Sequence, residues 1–166
     1  ATNILGLDYK EIKPRIVVNV STKPEKKYVT IATNSTAGCK FWTKEGWQEV
    51  INHLVENDFE VINVSKERNP FDNCIQLEDT SIENTISHIY YSEYFIGLSS
   101  GVSWMAWALG KQVVMIANFS RKDHEFECIR VTDESLCHGC WNDSNIKFDK
   151  GDWNWCKLKN TPRHFE

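Results

Sequence analysis

Four cysteines gather in the last third of the chain: Cys128, the pair Cys137-x2-Cys140, and Cys156 sixteen residues further on. A two-residue gap lets both thiolates of such a pair face one ion, and a later cysteine closes the coordination sphere. The spacing points to a thiolate metal site, although two disulfides, or a set that includes bystanders, would use the same residues. His138 lies inside the pair, and the thiols on either side already fill that corner. Four thiolates leave no coordination position open for water, so such a centre braces structure rather than performing a reaction. Thiolates suit iron and zinc alike.

Two short turns offer a different chemistry. Gly97-Leu-Ser-Ser-Gly-Val-Ser-Trp104 joins an apolar run to a helical one. Small residues there allow close backbone approach, and the unpaired N–H groups and dipole of a helix start favour an anion such as a phosphate. The plain alternative is a serine-rich strand–helix turn with no ligand. Asn34-Ser35-Thr36, followed by Lys40 and Trp42, has the same character. Lys40 offers a point charge to a phosphate and Trp42 a flat face to a base or sugar, although a solvated lysine beside a core tryptophan is the commoner arrangement. Two anion-friendly turns on one sheet edge weigh more than either alone. The sequence contains no Ser/His/Asp order, no HExxH and no Walker loop. Asp123 with Glu125, and Asp149 with Asp152, read as solvated loop charges, and His124 beside Glu125 carries only slightly more weight.

The elements that must position these residues follow from periodicity. Tyr28–Thr33, Phe59–Val64, Tyr94–Leu98 and Gln112–Ala117 are β-branched or apolar runs of strand length, and Arg15–Val20 reads as a further strand or extended lead-in. Between them, Trp47, Val50, Ile51 and Leu54 fall at helical spacing, as do Ile82, Ile86, Ile89 and Tyr90 behind a Thr80 or Ser81 cap. A third helix, Trp104 to Leu109, ends at Gly110, a residue suited to a left-handed stop. Alternating strands and helices predict an α/β fold, a Rossmann-like parallel sheet with helices on both faces. Its ligand edge, beyond the carboxyl ends of the strands, carries Asn34-Ser35-Thr36, Ser65-Lys66, Ser99-Ser100-Gly101 and Asn118. Beyond residue 119 the periodicity dissolves. The expected organisation is therefore a Rossmann-like domain over 1–120 and a loop-rich, cysteine-rich metal finger over 121–166.

Composition sets the outer limits. The chain has 166 residues, and its net charge of −4 argues against a general nucleic-acid binder, which needs a basic face. No apolar run reaches the ~20 residues of a membrane span, and no basic start with an apolar h-region marks a signal peptide. With the CxxC pair, these features predict a cytoplasmic protein. Cys39 and Cys74 read as plain buried thiols.

Ala32-Thr-Asn-Ser-Thr-Ala-Gly-Cys-Lys-Phe-Trp42, Gly97-Leu-Ser-Ser-Gly-Val-Ser-Trp-Met-Ala-Trp-Ala108 and Cys137-His-Gly-Cys-Trp-Asn-Asp143, with Phe148-Asp149, Trp155-Cys156 and Asn160-Thr161, resemble the bacterial autotransporter heptosyltransferases. The resemblance runs from about Tyr28 to Glu166. It implies a glycosyltransferase-B fold related to the lipopolysaccharide heptosyltransferases, transfer of heptose from ADP-heptose to serines of an autotransporter acceptor, and correspondence of this chain to the C-terminal, donor-binding half. By that resemblance Ser99, Ser100, Gly101 and Ser103 match the turn that holds the diphosphate, with Trp104 where the lipopolysaccharide enzymes usually have histidine. Thr33, Ser35, Thr36 and Lys40 match the first-strand loop that reaches the phosphates. Cys137, Cys140 and Cys156 match three ligands of the family's iron finger, and the fourth is Cys128 or a residue beyond Glu166. The family's catalytic acid belongs to the N-terminal domain, so no catalytic residue is assigned within this chain. A homo-oligomer fits this picture. The reading from a different class is a non-enzymatic, metal-stabilised module whose tryptophan-rich finger docks a partner.

Overall fold

The computed structural model describes residues 4–8, 12–18, 25–68, 70–117, 119–133 and 145, with the side chain of Cys39 left aside. β1 (Tyr28–Ala32) and β4 (Phe95–Leu98) are buried along their whole length. Strands apolar on both sides belong in a parallel sheet covered on both faces. They lie at the centre of six strands completed by β2 (Glu60–Asn63), β3 (Ile75–Gln76), β5 (Val113–Ile116) and β6 (Ile129–Val131). The order is β3-β2-β1-β4-β5-β6, and every neighbouring pair is parallel.

Helix α1 (Lys44–Glu56) starts where the Thr43 side chain accepts a hydrogen bond from the Gly46 N–H at 3.1 Å. It buries Trp47, Ile51 and Leu54 in a cluster with Val29, Ile31, Val61, Ile96 and Leu98. Helix α2 (Ile82–Tyr91) is capped by Ser81 in the same manner. With α3 (Gly101–Ala108) it contributes Ile89, Ala106 and Trp107 to the cluster on the opposite face, around Phe95, Val113 and Met115. Each fully buried large apolar side chain contributes about 1.5–3 kcal/mol, so the two clusters hold the sheet between its helices. Gly110 takes φ +77° just past α3, the left-handed stop expected from the sequence.

The structure departs from the sequence reading at several places. Residues 12–18 form no regular element and are mostly exposed, so the run at Arg15 does not join the sheet over its described part. β3 and β6 have two and three residues, too few to show a period of two, and neither was legible. β6 carries the sheet past the boundary expected near residue 120. α3 begins at Gly101 rather than Trp104, so the whole serine–glycine turn feeds straight into the helix. Ile82 is 65% exposed, which removes it from the expected apolar face of α2. Among the described residues no helix is long and apolar enough to cross a membrane.

Candidate functional site

In a sheet of this order the chain leaves β1 in one direction and β4 in the other, and the loops beyond their carboxyl ends part to form a crevice. Here that crevice is a cleft of about 570 Å³. Asn34, Ser35 and Thr36 enter it from the end of β1, Ser65, Lys66 and Glu67 from the end of β2, and Ser100, Gly101, Val102 and Met105 from the start of α3. Thr80, Ile82 and Thr85 close its far wall. The sequence marks none of Thr80, Ile82, Thr85 and Glu67 as a site residue, and Thr80 and Ile82 read there only as a cap and an apolar helix position. Their loops follow β2 and the two-residue β3, and without β3 the approach to α2 did not read as part of the ligand edge.

The start of α3 differs from that of the other two helices. Thr43 and Ser81 accept first-turn N–H groups of α1 and α2, whereas Ser100 makes no side-chain cap hydrogen bond. Its hydroxyl is buried and has no hydrogen-bond partner. A buried polar atom left unpaired costs about 1–3 kcal/mol, and such atoms in a native fold call for a ligand or water. A Cβ built on Gly101 would meet nothing within 4 Å, so the space in front of the helix start is open. The helix start therefore presents uncapped N–H groups to the cleft, with the unpartnered Ser100 hydroxyl buried beside them, and uncapped helix N–H groups bind anions.

Of the remaining residues expected at the site, Thr33, Ser103 and Lys40 make contacts inside the two turns. Thr33 is 4% exposed, and its hydroxyl donates to the Asn34 side-chain oxygen at 2.8 Å. Ser103 is fully buried and donates to the Leu98 carbonyl, fixing the turn from inside. Lys40 donates to the Ser99 carbonyl at 3.0 Å and lies over the Phe119 ring, so its ammonium ties the β1 loop to the β4 turn. The Ser99 and Ser120 hydroxyls approach to 3.4 Å. Trp104 is exposed and packs edge-on against Phe126 and Trp107. Trp42 packs on Trp47 and lines a separate apolar groove of about 330 Å³ with Phe41, Val50, Ile116 and Val131.

Glu125 sits in an unexpectedly buried ion pair. Arg130 Nε donates to it at 2.9 Å, with the two side chains 14% and 2% exposed for Arg130 and Glu125 respectively. Burial pushes the Glu125 carboxyl above the ordinary range, opposed by Arg130 and then by Lys40. Arg130 also donates to the Ser120 carbonyl. Lys40, Ser99, Ser120, Arg130 and Glu125 thus link the β4 turn to the stretch leading into β6. His124, beside Glu125, is exposed.

Of the expected metal ligands only Cys128 is described, and Cys137, Cys140 and Cys156 lie outside the described residues. The Cys128 thiol is half-buried against the cluster containing Trp107, Met115 and Phe126, and burial first, then Glu125, raises its pKa. Among the described residues no three His, Cys, Asp or Glu side chains gather as a metal site, so these residues alone do not hold the ion. Cys74 is a half-buried thiol, pushed up to about 11 by burial.

No protein-family model matches the chain. It is 36% identical over 176 residues to the autotransporter heptosyltransferase BAHTCr of Citrobacter rodentium (strain ICC168), covering 98% of this chain and 43% of that relative. The chain belongs to the autotransporter heptosyltransferase family. It spans less than half the length of the heptosyltransferases it matches. A crystal structure of the heptosyltransferase TibC of Escherichia coli superposes with a TM-score of 0.88 at 33% identity, covering 98% of this chain and 46% of that one. TibC in that structure is described as dodecameric, iron-containing and in complex with ADP-D-beta-D-heptose. BimC of Burkholderia thailandensis, 30% identical over 99% of this chain and 40% of its own length, is described as an inactive autotransporter heptosyltransferase. Membership in the heptosyltransferase family therefore establishes ancestry and fold, while activity rests on the individual site.

Proposed function

We propose that this chain is the donor-binding half of an inverting glycosyltransferase, with ADP-heptose held in the cleft in front of α3 and a protein as acceptor. The observation that carries the reading is the uncapped start of α3, with Ser100 and Gly101 lining the crevice where the strand order reverses and the Ser100 hydroxyl left without a partner. It is supported by the TibC complex with ADP-D-beta-D-heptose, whose fold this chain shares.

The donor's diphosphate lies over Ser100 and Gly101, reached from the other side by Ser35 and Thr36. The helix N–H groups and dipole then stabilise the negative charge that grows on the departing ADP, without a metal at the reacting centre. Glu67, four residues past β2, also lines the cleft, where a carboxylate can accept hydrogen bonds from ribose hydroxyls. Thr33, Lys40, Ser99, Ser103 and Trp104 serve the site by shaping the two turns. The domain alone binds donor and transfers poorly, because the acid or base that activates the acceptor belongs to another domain.

Cys137, Cys140 and Cys156, with Cys128 as the fourth thiol, would hold an iron or zinc ion that closes the C-terminal finger structurally. Metal analysis of the purified protein should give about one ion per chain, and Cys128→Ser should lower that occupancy. Unchanged occupancy in the variant would exclude Cys128 as a ligand. A cytoplasmic location and assembly into a homo-oligomer complete the reading.

One observation favours a second reading, a non-enzymatic interaction module: Phe41 and Trp42 are exposed beside the apolar groove. A thermal shift with ADP separates the two. At a concentration one hundred times Kd, ADP should stabilise the fold by about 2.7 kcal/mol and raise Tm by about 5–10 °C. No shift at millimolar ADP would favour the module.

A further inference from the structure

We infer that Ser65 is a positioning residue for the donor site: its hydroxyl staples the loop leaving β1 to the end of β2 and so sets the phosphate-facing loop before any ligand arrives. The inference rests on the donor-site reading above. Parallel pairing places Ile31 opposite Asn63, so two residues further on Thr33 stands opposite Ser65, just where both strands end. There the backbone ladder gives way to a side chain. Ser65 Oγ accepts from the Thr33 N–H at 2.8 Å and from the Asn34 N–H at 3.3 Å. Ser65 is 5% exposed, so water has little access to replace it.

Ser65 is itself held at both of its backbone polar groups. Its own N–H donates to the Asn63 side-chain oxygen at 3.0 Å, an Asx turn that bends the chain as β2 ends. Its carbonyl accepts from Gln76 Nε2 at 2.9 Å. Asn63, fully buried, also donates to the Gln76 oxygen at 3.1 Å. The hydroxyl is thus fixed by β2 and β3 and imposes that position on the β1 loop, whose next residues, Ser35 and Thr36, line the cleft. The backbone N–H groups of residues 33 and 34 are engaged by Ser65 rather than offered to the diphosphate, and this orients the loop so that Ser35 and Thr36 meet it.

The test compares the parent chain, Ser65→Ala and Ser65→Cys, the last keeping the side-chain volume with only a weak acceptor. Two quantities are read: ADP affinity by calorimetry, and hydrogen exchange of the Thr33 and Asn34 amides without ligand. We expect both variants to bind ADP about tenfold more weakly and to exchange those two amides at least tenfold faster. If Ser65→Ala does not fold, Ser65→Cys carries the comparison. A purely stabilising serine would lower Tm and leave the affinity of the folded protein unchanged. A serine that only touches the ligand would weaken binding and leave apo exchange unchanged. Either outcome overturns the inference while leaving the donor site standing. Absence of ADP binding by the parent chain overturns the donor reading and this inference together.

Discussion

Gly101→Trp is expected to fold as the parent chain does and to bind ADP at least about a hundredfold more weakly, about 2.7 kcal/mol. A Cβ at Gly101 meets no atom within 4 Å, and the residue is exposed, so the substitution breaks no packing and opens no cavity. The indole instead occupies the mouth of the cleft, over the uncapped N–H groups of α3 where the diphosphate should sit. Lys66 also lines the cleft, but the uncapped backbone N–H groups lie at this start, so blocking it removes a large share of the attraction for an anion. Circular dichroism and Tm check the fold, and calorimetry with ADP checks the binding. Parent-like affinity in a folded Gly101→Trp chain would remove the helix start from the site.

The second large effect concerns stability. Phe95→Ala should destabilise the chain by about 3–5 kcal/mol, the range for deleting a buried aromatic ring. Phe95 is fully buried on β4, which pairs with both β1 and β5. Its ring also fills the space beside Gly97 so closely that a Cβ there would lie 2.6 Å from it. The ring therefore packs the strand that delivers the Ser99–Gly101 turn, and its loss leaves a void at the root of the site. Native domains are stable by only about 5–15 kcal/mol, so this one change removes a large share. Urea unfolding measures it. A loss below about 1 kcal/mol would mean that the surroundings collapse onto the void, and that the turn does not depend on this ring.

Where the sequence was readable, the reason was length and period. β1, β4 and β5 are apolar runs bounded by turn residues, and α1 and α2 carry their caps at Thr43 and Ser81. Their alternation led to the parallel sheet, and the sheet led to the edge on which Ser35, Thr36, Ser100 and Gly101 converge. Hidden features depended on distant partners. β3 exists because Ile75 and Gln76 pair with Ile62 and Asn63, not because two residues announce a strand. The roles of Thr33, Ser103 and Lys40 were open for the same cause. A serine, threonine or lysine near a phosphate turn reads identically whether it faces ligand or backbone, and only the Leu98, Ser99 and Asn34 contacts place them on the inner side. Glu125 looked like a loop charge because Arg130, its partner, lies on a strand that was itself not legible.

The central claim is that a nucleotide diphosphate binds at the start of α3. A crystal structure of this chain with ADP tests it most directly. The account predicts phosphate oxygens within about 2.7–3.2 Å of Ser100 Oγ and of the first N–H groups of α3, with Ser35 and Thr36 facing them across the cleft. ADP bound elsewhere, or a Ser100 hydroxyl still without a partner beneath a bound nucleotide, would contradict it.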